Sequence, residues 1–542
     1  MSQEFGTGIG SDRREFLKGI GVSGLLAFGL AGCGDSGDFV EPTFAQQLDP
    51  GTAREQAAIN FRLQRAQAAN AGTVVHVNNG DEQRYANFLG SFSKTLPHNT
   101  LGEVDTAAFR AFATAIDTFD TQGLENVPKG GVGQFVNPFA GQAFTLSGID
   151  SQGVTMPPAP TFDSAQAAAE MVDLYWMALC RDVPFANFET DATVGAAVAD
   201  LNTMTDYTPG VVNPATVFRG ILNGDLNGPY ISQFLWKPVP FGPITYEQMF
   251  VPTAPGIDHM LSQTAAVNIQ NGDAPGPQTF AGAPRYISTF RDLASFVHVD
   301  ALHQAYLQAA LILLGQGTPF DQGFPYNNLT RGVGFATFGA AQILGLVTEV
   351  SVRALKAAWY QKWNVHRRLR PEMMGIRTHV HMTGQANYPI HSQLLNSDAL
   401  TQTFNQNGTY LLSQAYPEGS PSHPSYGAGH AAVAGACTTV LKALFDGQSQ
   451  VLNTVEANQD GSALNPIAGN FTVNGELNKL CSNISIGRNG AGVHYITDYS
   501  QCIGLGEAVA ISILNDAIAA SEVFGQLTLE KFDGSTVTLT GA

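Results

Sequence analysis

Three segments of the sequence carry cationic, imidazole and carboxylate side chains at spacings suited to binding a small oxyanion. The first, 362–372, is unusually basic for a chain whose formal net charge is −18 at pH 7. Lys362 and His366 share a helical face, whereas Pro371 disfavours a helical conformation at Arg370 and bends the chain there. Arg370 can then point back toward Lys362. A charge run is more commonly a solvated basic face, so this segment alone does not decide between the two interpretations.

The second segment, 417–430, ends in a glycine-rich turn that leads into an apolar helix. Such a turn presents unpaired backbone N–H groups and the positive end of the helix dipole, and both favour an anion. The sequence therefore predicts that the Gly429 amide donates to an oxyanion. His430, at the mouth of this site, would act as general acid or base, because its charge is tunable near neutral pH. A tight turn with a capping histidine is the alternative interpretation.

The third segment, 488–498, places Arg488 six residues before His494 and Asp498 four residues after it. His494 and Asp498 share a helical face, so the carboxylate can hold one ring nitrogen and leave the other free to ligate or attack. Arg488 adds charge-assisted hydrogen-bond donors. A histidine on an apolar face is more often a satisfied core residue, but the neighbouring arginine and carboxylate favour a functional one.

Together, the three segments resemble the motifs of the vanadium haloperoxidase and type-2 acid phosphatase superfamily. The matching patterns are KxxxxxxxRP at 362–371, HPSYGAGH at 423–430 and RxxxxxHxxxD at 488–498, in the superfamily's order. The spacing of the first pattern and the wording PEGSPxHPSY are similar to the algal and cyanobacterial bromoperoxidase branch. A broader similarity, less specific than the three motifs, extends from about residue 170 to the C-terminus.

The resemblance implies an all-α, mostly helical fold of two bundled helical units with long loops, with vanadate at the end of one bundle. His494, oriented by Asp498, would ligate vanadium directly through a ring nitrogen. Three cations would neutralise the oxyanion, and one backbone amide would donate to it. The implied vanadate-binding residues are Lys362, Arg370, Gly429, Arg488 and His494.

The implied activity is oxidation of a halide by hydrogen peroxide to a hypohalous species that halogenates small organic acceptors. Vanadate would act as a Lewis acid of constant oxidation state, with His430 as the acid–base partner. Trp359 and His423 match residues that some bromoperoxidases place beside the cofactor, and they favour bromide, with iodide also accepted. Ala428 departs from the usual serine. Because one neutral hydrogen bond is worth about 0.5–1.5 kcal/mol, we expect weaker vanadate binding but an active site.

Two other functions stay open on the sequence alone. An acid phosphatase would use the same residues with His494 as nucleophile, because phosphate and vanadate are both tetrahedral oxyanions. A lipid-anchored protein that only binds such anions is the third hypothesis. The algal-type spacing and the Trp359–His423 pair argue against the phosphatase. His430 and the His494–Asp498 pair argue against simple binding, which needs no acid–base group.

Helices must position these segments, because strand-like alternation is scarce. Asp163 and Ser164 are predicted caps of a helix over 165–176. Further helices are predicted over 54–71, 301–314, 340–363, 430–445, 477–486 and 495–521, with long loops over 123–160 and 251–284. Four scattered cysteines without CxxC spacing are predicted to be buried small residues: Cys180, Cys437, Cys481 and Cys502.

The N-terminus predicts export. Arg13 and Arg14 resemble the twin-arginine signature, an apolar run too short to span a bilayer follows, and 30–33 resembles a bacterial lipobox that ends at Cys33. We therefore expect a signal peptide at 1–33, a tether at 34–45 and a catalytic region at 46–542. The mature protein would be periplasmic or at the cell surface, with membrane contact only through a lipid on Cys33.

The composition of the chain limits which binding partners are expected. With 542 residues, 44% of them hydrophobic and 13% charged, the chain can build a large core. Its acidic balance argues against a nucleic-acid partner, since no basic stripe is present for phosphate backbones. The expected partners are hydrogen peroxide, a halide and a small organic acceptor, and the resemblance implies a homo-oligomer.

Overall fold

Clear capping signals account for the starts of many helices. The computed structural model describes residues 52–71, 74–327, 329–522 and 525–541. The Ser164 hydroxyl accepts a hydrogen bond from the Ala167 amide at the start of one helix. Thr289 and Asp292 form a reciprocal capping box at the start of another. At both starts a side chain satisfies backbone amides that have no partner within the helix.

The α-helices are α1 (Thr52–Ala71), α2 (Asp81–Arg84), α3 (Thr106–Asp117), α4 (Thr121–Glu125), α5 (Ala165–Leu179), α6 (Ala192–Leu201), α7 (Gln263–Asn271), α8 (Phe290–Val299), α9 (Gln304–Gly315), α10 (Ala340–Tyr360), α11 (Pro371–Met382), α12 (Ser392–Leu395), α13 (Asp398–Asn407), α14 (Gly429–Leu444), α15 (Val473–Gly490) and α16 (Ile496–Ala519). Three antiparallel hairpins join β1 (Val239–Phe241) to β2 (Ile244–Tyr246), β3 (Val455–Ala457) to β4 (Leu464–Pro466), and β5 (Leu527–Glu530) to β6 (Thr536–Leu539).

The core forms around α14, which is buried along its whole length except at His430. It packs against α10, α15 and α16. Glycines allow the closest approach. A Cβ at Gly435 would lie 2.1 Å from the Ile503 oxygen, and one at Gly506 would lie 2.0 Å from the Ala432 oxygen. The backbones of α14 and α16 are therefore in contact, and both helices carry predicted site residues in their first turn.

The prediction of a mostly helical fold is confirmed, and the long helices lie close to their predicted bounds. Several shorter helices were missed, among them α3, α6, α11 and α13; α7 lies inside the predicted loop 251–284, and α8 begins a few residues after that loop. α7 and α8 are bounded by loops, and their apolar faces are too short to stand out. α16 is long and apolar enough to cross a membrane, but it is mostly buried and packs in the core. The four cysteines are free and buried, as predicted.

The chain divides into two units, Met1–Ala57 and Ala58–Ala542. Of the first unit, the structure describes only 52–57, the first residues of α1. The predicted signal peptide, the tether and Cys33 lie outside the described residues. All the predicted site residues lie in the second unit.

Candidate active site

The basic stretch leaves α10 through a π-helical turn over Gln361–His366, a feature that is frequent at functional sites. Lys362 is fully buried there. Its ammonium Nζ donates to the carbonyl oxygens of Pro424 and Ser425 at 2.6 and 2.8 Å. Burial, followed by the charge of Arg370, holds the pKa of Lys362 well below its ordinary value. Lys362 is therefore a buried cation that an anion would stabilise.

Arg370 stands in extended backbone just before α11 and points back into the site, as the position of Pro371 predicted. Its Nε donates to the His423 carbonyl oxygen at 2.9 Å, and Nη2 donates to Nδ1 of the same residue at 2.9 Å. Nη1 lies 2.8 Å from His494 Nε2. Burial lowers the pKa of Arg370 to about 9. One guanidinium thus joins the 417–430 loop to His494.

His494 and Asp498 interact as their spacing predicted. The ring Nδ1 lies 2.7 Å from Oδ2 of Asp498, so it donates to the carboxylate. Burial, followed by the charges of Arg370 and Lys362, holds the pKa of His494 well below its ordinary value and keeps the ring neutral. With its proton on Nδ1, the ring presents a lone pair at Nε2, which accepts from Arg370. Nε2 is the atom that could ligate or attack once Arg370 releases it.

The start of α14 provides backbone donors. Gly429 is its first residue, and a Cβ there would lie 3.0 Å from both Leu355 and Trp359. Ala428, the N-cap, makes no side-chain hydrogen bond. The amides of the first turn are thus left without a capping side chain at the positive end of the helix dipole. This geometry suits the predicted anion-binding turn.

His430, the second residue of α14, is paired with a carboxylate that the sequence analysis missed. Its Nε2 lies 2.9 Å from Oδ1 of Asp300, which directly follows α8 as its C-cap. An imidazole paired with a carboxylate beside a cavity can accept and return a proton. The capping-box pattern at 289–292 could have predicted the start of α8. No short-range sequence pattern, however, predicts that Asp300 contacts His430.

Arg488 lies in the last turn of α15 and caps the C-terminal end of α8. Its Nη1 donates to the Val297 carbonyl oxygen at 2.9 Å, and the guanidinium lies 5.4 Å from the centre of the Tyr416 ring. The Nε of Arg488 is buried and has no hydrogen-bond partner among the described residues. A buried guanidinium N–H without a partner, beside a cavity, is a donor that an oxyanion would satisfy.

Arg368, in the same basic stretch, has a different role. Its guanidinium contacts Glu170 at 2.6 Å and Asp498 at 3.1 Å, and it lies 3.8 Å from the centre of the Tyr495 ring. Burial alone would lower the pKa of Arg368, but these carboxylates raise it above its ordinary value. Glu170 also accepts from the amide and hydroxyl of Thr497. Arg368 thus holds the Asp498 carboxylate in place, and Glu170 in turn holds Arg368. These contacts were not predicted from the sequence.

Charge pairing divides the buried cations of the basic stretch and of 488–498 into two groups. Arg367 is paired, through contacts of 2.8 Å with Glu82 and 2.6 Å with Asp117. In the part of the chain that the structure describes, no carboxylate forms an ion pair with Lys362, Arg370 or Arg488, which are all buried. Uncompensated buried cations are unfavourable, so their clustering calls for a multiply charged anion.

A cavity of about 310 Å³ lies beside this cluster, and Arg488 and His494 are in its wall. Trp359 and His423 lie side by side in its wall, with ring centres 4.6 Å apart, as their predicted pairing required. Burial, followed by the charges of Lys362 and Arg370, holds the pKa of His423 well below its ordinary value. The cavity is lined by His298, Leu302, Leu355, Trp359, Glu418, Gly419, Pro421, His423, Gly429, His430, Arg488 and His494.

Comparisons with known proteins show which family the chain belongs to. No protein-family model matches the sequence. The chain is 36% identical over 592 residues to a vanadium-dependent bromoperoxidase of Corallina pilulifera, covering 90% of this chain and 98% of that protein. The chain belongs to the vanadium-dependent bromoperoxidase family. A second relative, a vanadium-dependent bromoperoxidase of Ascophyllum nodosum, is 34% identical and covers 94% of this chain and 95% of its own.

A solved structure of the same family shares the fold. It is the second vanadate-dependent bromoperoxidase of Ascophyllum nodosum, a homohexamer, with a TM-score of 0.87, 29% sequence identity and coverage of 93% of both chains. The resemblance to the bromoperoxidase branch that the sequence motifs indicated is therefore confirmed.

The residues suit an oxyanion better than a bare metal cation. Among the described residues, no group of three or more His, Cys, Asp or Glu side chains is arranged to hold a metal ion. The donors that surround the cavity are instead one neutral histidine, three cations and the amides at the start of α14. This set matches a tetrahedral anion that is held by charge and hydrogen bonds and ligated by a single ring nitrogen.

Proposed function

We propose that this protein is a vanadate-dependent haloperoxidase. It uses hydrogen peroxide to oxidise bromide, and also iodide, to a hypohalous species that halogenates small organic acceptors. The observation that carries the proposal is the cluster of three buried cations without carboxylate partners around His494, whose Nδ1 proton is held by Asp498. The names of the relatives support vanadate as the cofactor and bromide as the favoured halide.

Each residue has a defined task in this proposal. His494 would hold vanadate through Nε2, the ring nitrogen that accepts from Arg370, and Arg370 would also donate to the oxyanion. Lys362 and Arg488 neutralise the remaining negative charge, the latter through its unpartnered Nε. The Gly429 amide donates one hydrogen bond. When bound, vanadate supplies a Lewis-acid centre that activates hydrogen peroxide without changing its own oxidation state.

Proton transfer belongs to His430 in this proposal. Its contact with Asp300 at 2.9 Å orients the ring beside the cavity. His423 is buried and neutral beside Trp359, whose ring edge carries the positive part of the quadrupole. A polarisable anion such as bromide fits beside this edge.

The test is reconstitution of the purified protein with vanadate, followed by addition of peroxide, bromide and a brominatable dione. Vanadate-dependent bromination is the expected result, and His494→Ala should abolish it. Ester hydrolysis that phosphate inhibits, without bromination, would instead support an acid phosphatase with His494 as nucleophile. A protein that binds vanadate but is inactive in both assays would be a simple anion-binding protein.

We infer further that the helices are arranged as two bundled units and that the protein is a homo-oligomer. The homohexameric relative supports the second inference. We also propose export by the twin-arginine route and a lipid anchor on Cys33, which place the enzyme in the periplasm or at the cell surface. Fractionation of cells that express Cys33→Ala tests the anchor, because the variant should leave the membrane fraction.

A further inference from the structure

A second histidine–carboxylate pair lines the same cavity, and the proposed vanadate site does not use it. His298 Nε2 lies 2.5 Å from Oε1 of Glu418. The two side chains are 23% and 36% exposed, whereas His423 and His494 are buried. The pair therefore lies between solvent and the interior of the cavity.

The pair is held rigidly. The His298 ring stacks on Tyr416 with ring centres 3.9 Å apart and planes 9° from parallel. The Tyr416 hydroxyl donates to the Ala294 oxygen at 2.6 Å. The backbone oxygen of Glu418 accepts from Lys94 Nζ at 2.7 Å. A histidine that only filled space would not need a fixed carboxylate partner facing a cavity.

The C-terminal end of α8 connects this pair to the catalytic groups. His298 lies in its last turn, Asp300 immediately after the helix pairs with His430, and the Val297 oxygen accepts from Arg488. One helix end thus supplies a contact to the His298–Glu418 pair, to the His430–Asp300 pair and to the anion site.

We propose that the His298–Glu418 pair delivers to the cavity the proton that each turnover consumes. This inference rests on the proposed function. Hydrogen peroxide, bromide and one proton give hypobromous acid and water. The O–O bond breaks, an O–Br bond forms, bromide loses the two electrons that the peroxide oxygens gain, and the proton ends in the water. His298 passes its proton inward and regains one from solvent.

Lys362 and His494, which lie deeper in the site, are poorly suited to supply this proton. The ammonium protons of Lys362 are engaged by the Pro424 and Ser425 carbonyl oxygens, and the Nδ1 proton of His494 is held by Asp498. These protons stabilise the arrangement of the site, and their loss would disturb it. A donor at the mouth of the cavity can recharge from solvent without such a change.

Charged or titratable groups on other elements face the pair: Lys94 and His259 interact electrostatically with Glu418, and His430 and Arg488 line the same cavity. Burial on its own would raise the pKa of Glu418, but the hydrogen bond from His298, with Lys94 nearby, lowers it below its ordinary value. Glu418 is thus anionic at neutral pH and is the partner that a protonated imidazole requires.

The experiment uses the vanadate-reconstituted full chain and compares His298→Gln and Glu418→Gln with the parent protein. Glutamine at 298 can still hydrogen-bond Glu418 but cannot carry a proton. At saturating peroxide and bromide, we expect kcat of His298→Gln to fall by about 10-fold or more on the alkaline side of the pH profile. KM for both substrates and the affinity for vanadate should stay unchanged. His303→Gln, a half-buried histidine outside the cavity lining, is the matched control.

Chemical rescue separates proton delivery from a structural role. Imidazole should restore the rate of His298→Ala in proportion to its concentration. If His298→Gln has the same pH profile as the parent protein, this inference is wrong and the proposed function is unaffected. A loss that is equal at every pH, accompanies weaker vanadate binding and is not rescued would also overturn it. A parent protein without vanadate-dependent bromination would overturn the proposed function and this inference with it.

Discussion

Replacing Asp498 with asparagine tests whether the orientation of His494 controls vanadate binding. The Asp498 carboxylate accepts from His494 Nδ1, the Ser425 hydroxyl, Arg368 Nη1 and the Tyr495 amide. All of these partners are donors, and the carboxylate is fully buried. The substitution keeps the shape of the side chain but replaces one acceptor oxygen with an NH₂ group.

The expected loss follows from this geometry. If the new NH₂ faces His494, the ring must accept at Nδ1 and carry its proton on Nε2, which removes the lone pair that would ligate vanadium. A lost hydrogen bond to a charged group is worth about 1.5–3 kcal/mol. Changes in the hydrogen-bond partner of a metal-binding histidine typically cost 10–100-fold. We therefore expect the dissociation constant for vanadate to rise about 10–100-fold.

The assay titrates vanadate into the metal-free protein and follows the recovery of bromination. Asp516→Asn is the matched control, because Asp516 lies in the same helix but contacts the Gly148 amide at 2.6 Å and Arg65 at 3.4 Å instead of the site. Thermal unfolding of both variants measures any loss of stability. A folded Asp498→Asn protein that binds vanadate as tightly as the parent would refute the orienting role.

Two further substitutions probe single features. Ala428→Ser should tighten vanadate binding by about 2–10-fold, because it adds one neutral hydrogen bond of about 0.5–1.5 kcal/mol, and equal affinities in the same titration would contradict this. Burial raises the pKa of Asp173 from 3.8 to about 7, so the stability linked to its protonation is present at low pH and lost as the pH rises through about 7. Asp173→Asn should therefore raise the unfolding temperature at about pH 8 but not at about pH 4, and an equal effect at both pH values would show that charge burial is not the cause.

Short-range patterns predicted the core of the site. The spacing of His494 and Asp498 predicted their contact, although His494 lies just before the N-cap of α16 and not on the helix, and Pro371 predicted the direction of Arg370. The glycine-rich turn before α14 placed Gly429 at a helix start. These features depend on backbone geometry over a few residues, so the sequence carries them directly.

The contacts that support the site were not predictable in the same way. Asp300 meets His430 across 130 residues of sequence, and Arg368 meets Glu170 across 198. Such pairs depend on how whole helices pack, and no local spacing encodes them. The π-helical turn at Gln361–His366 was also missed, because the apolar pattern of α10 continues through it.

The basic stretch shows why a run of charges cannot be interpreted until its partners are known. Charge alone does not distinguish its residues, and the fold sorts them by their carboxylate partners. Arg367 and Arg368 meet carboxylates, which raise their pKa above the ordinary value, whereas Lys362 and Arg370 meet none among the described residues, and burial lowers theirs. Within these four residues, the direction of the pKa shift follows the presence or absence of a carboxylate partner. The two cations without such a partner lie beside the histidine that can ligate an anion, so the electrostatic cost of burying these charges is offset only when the site is filled.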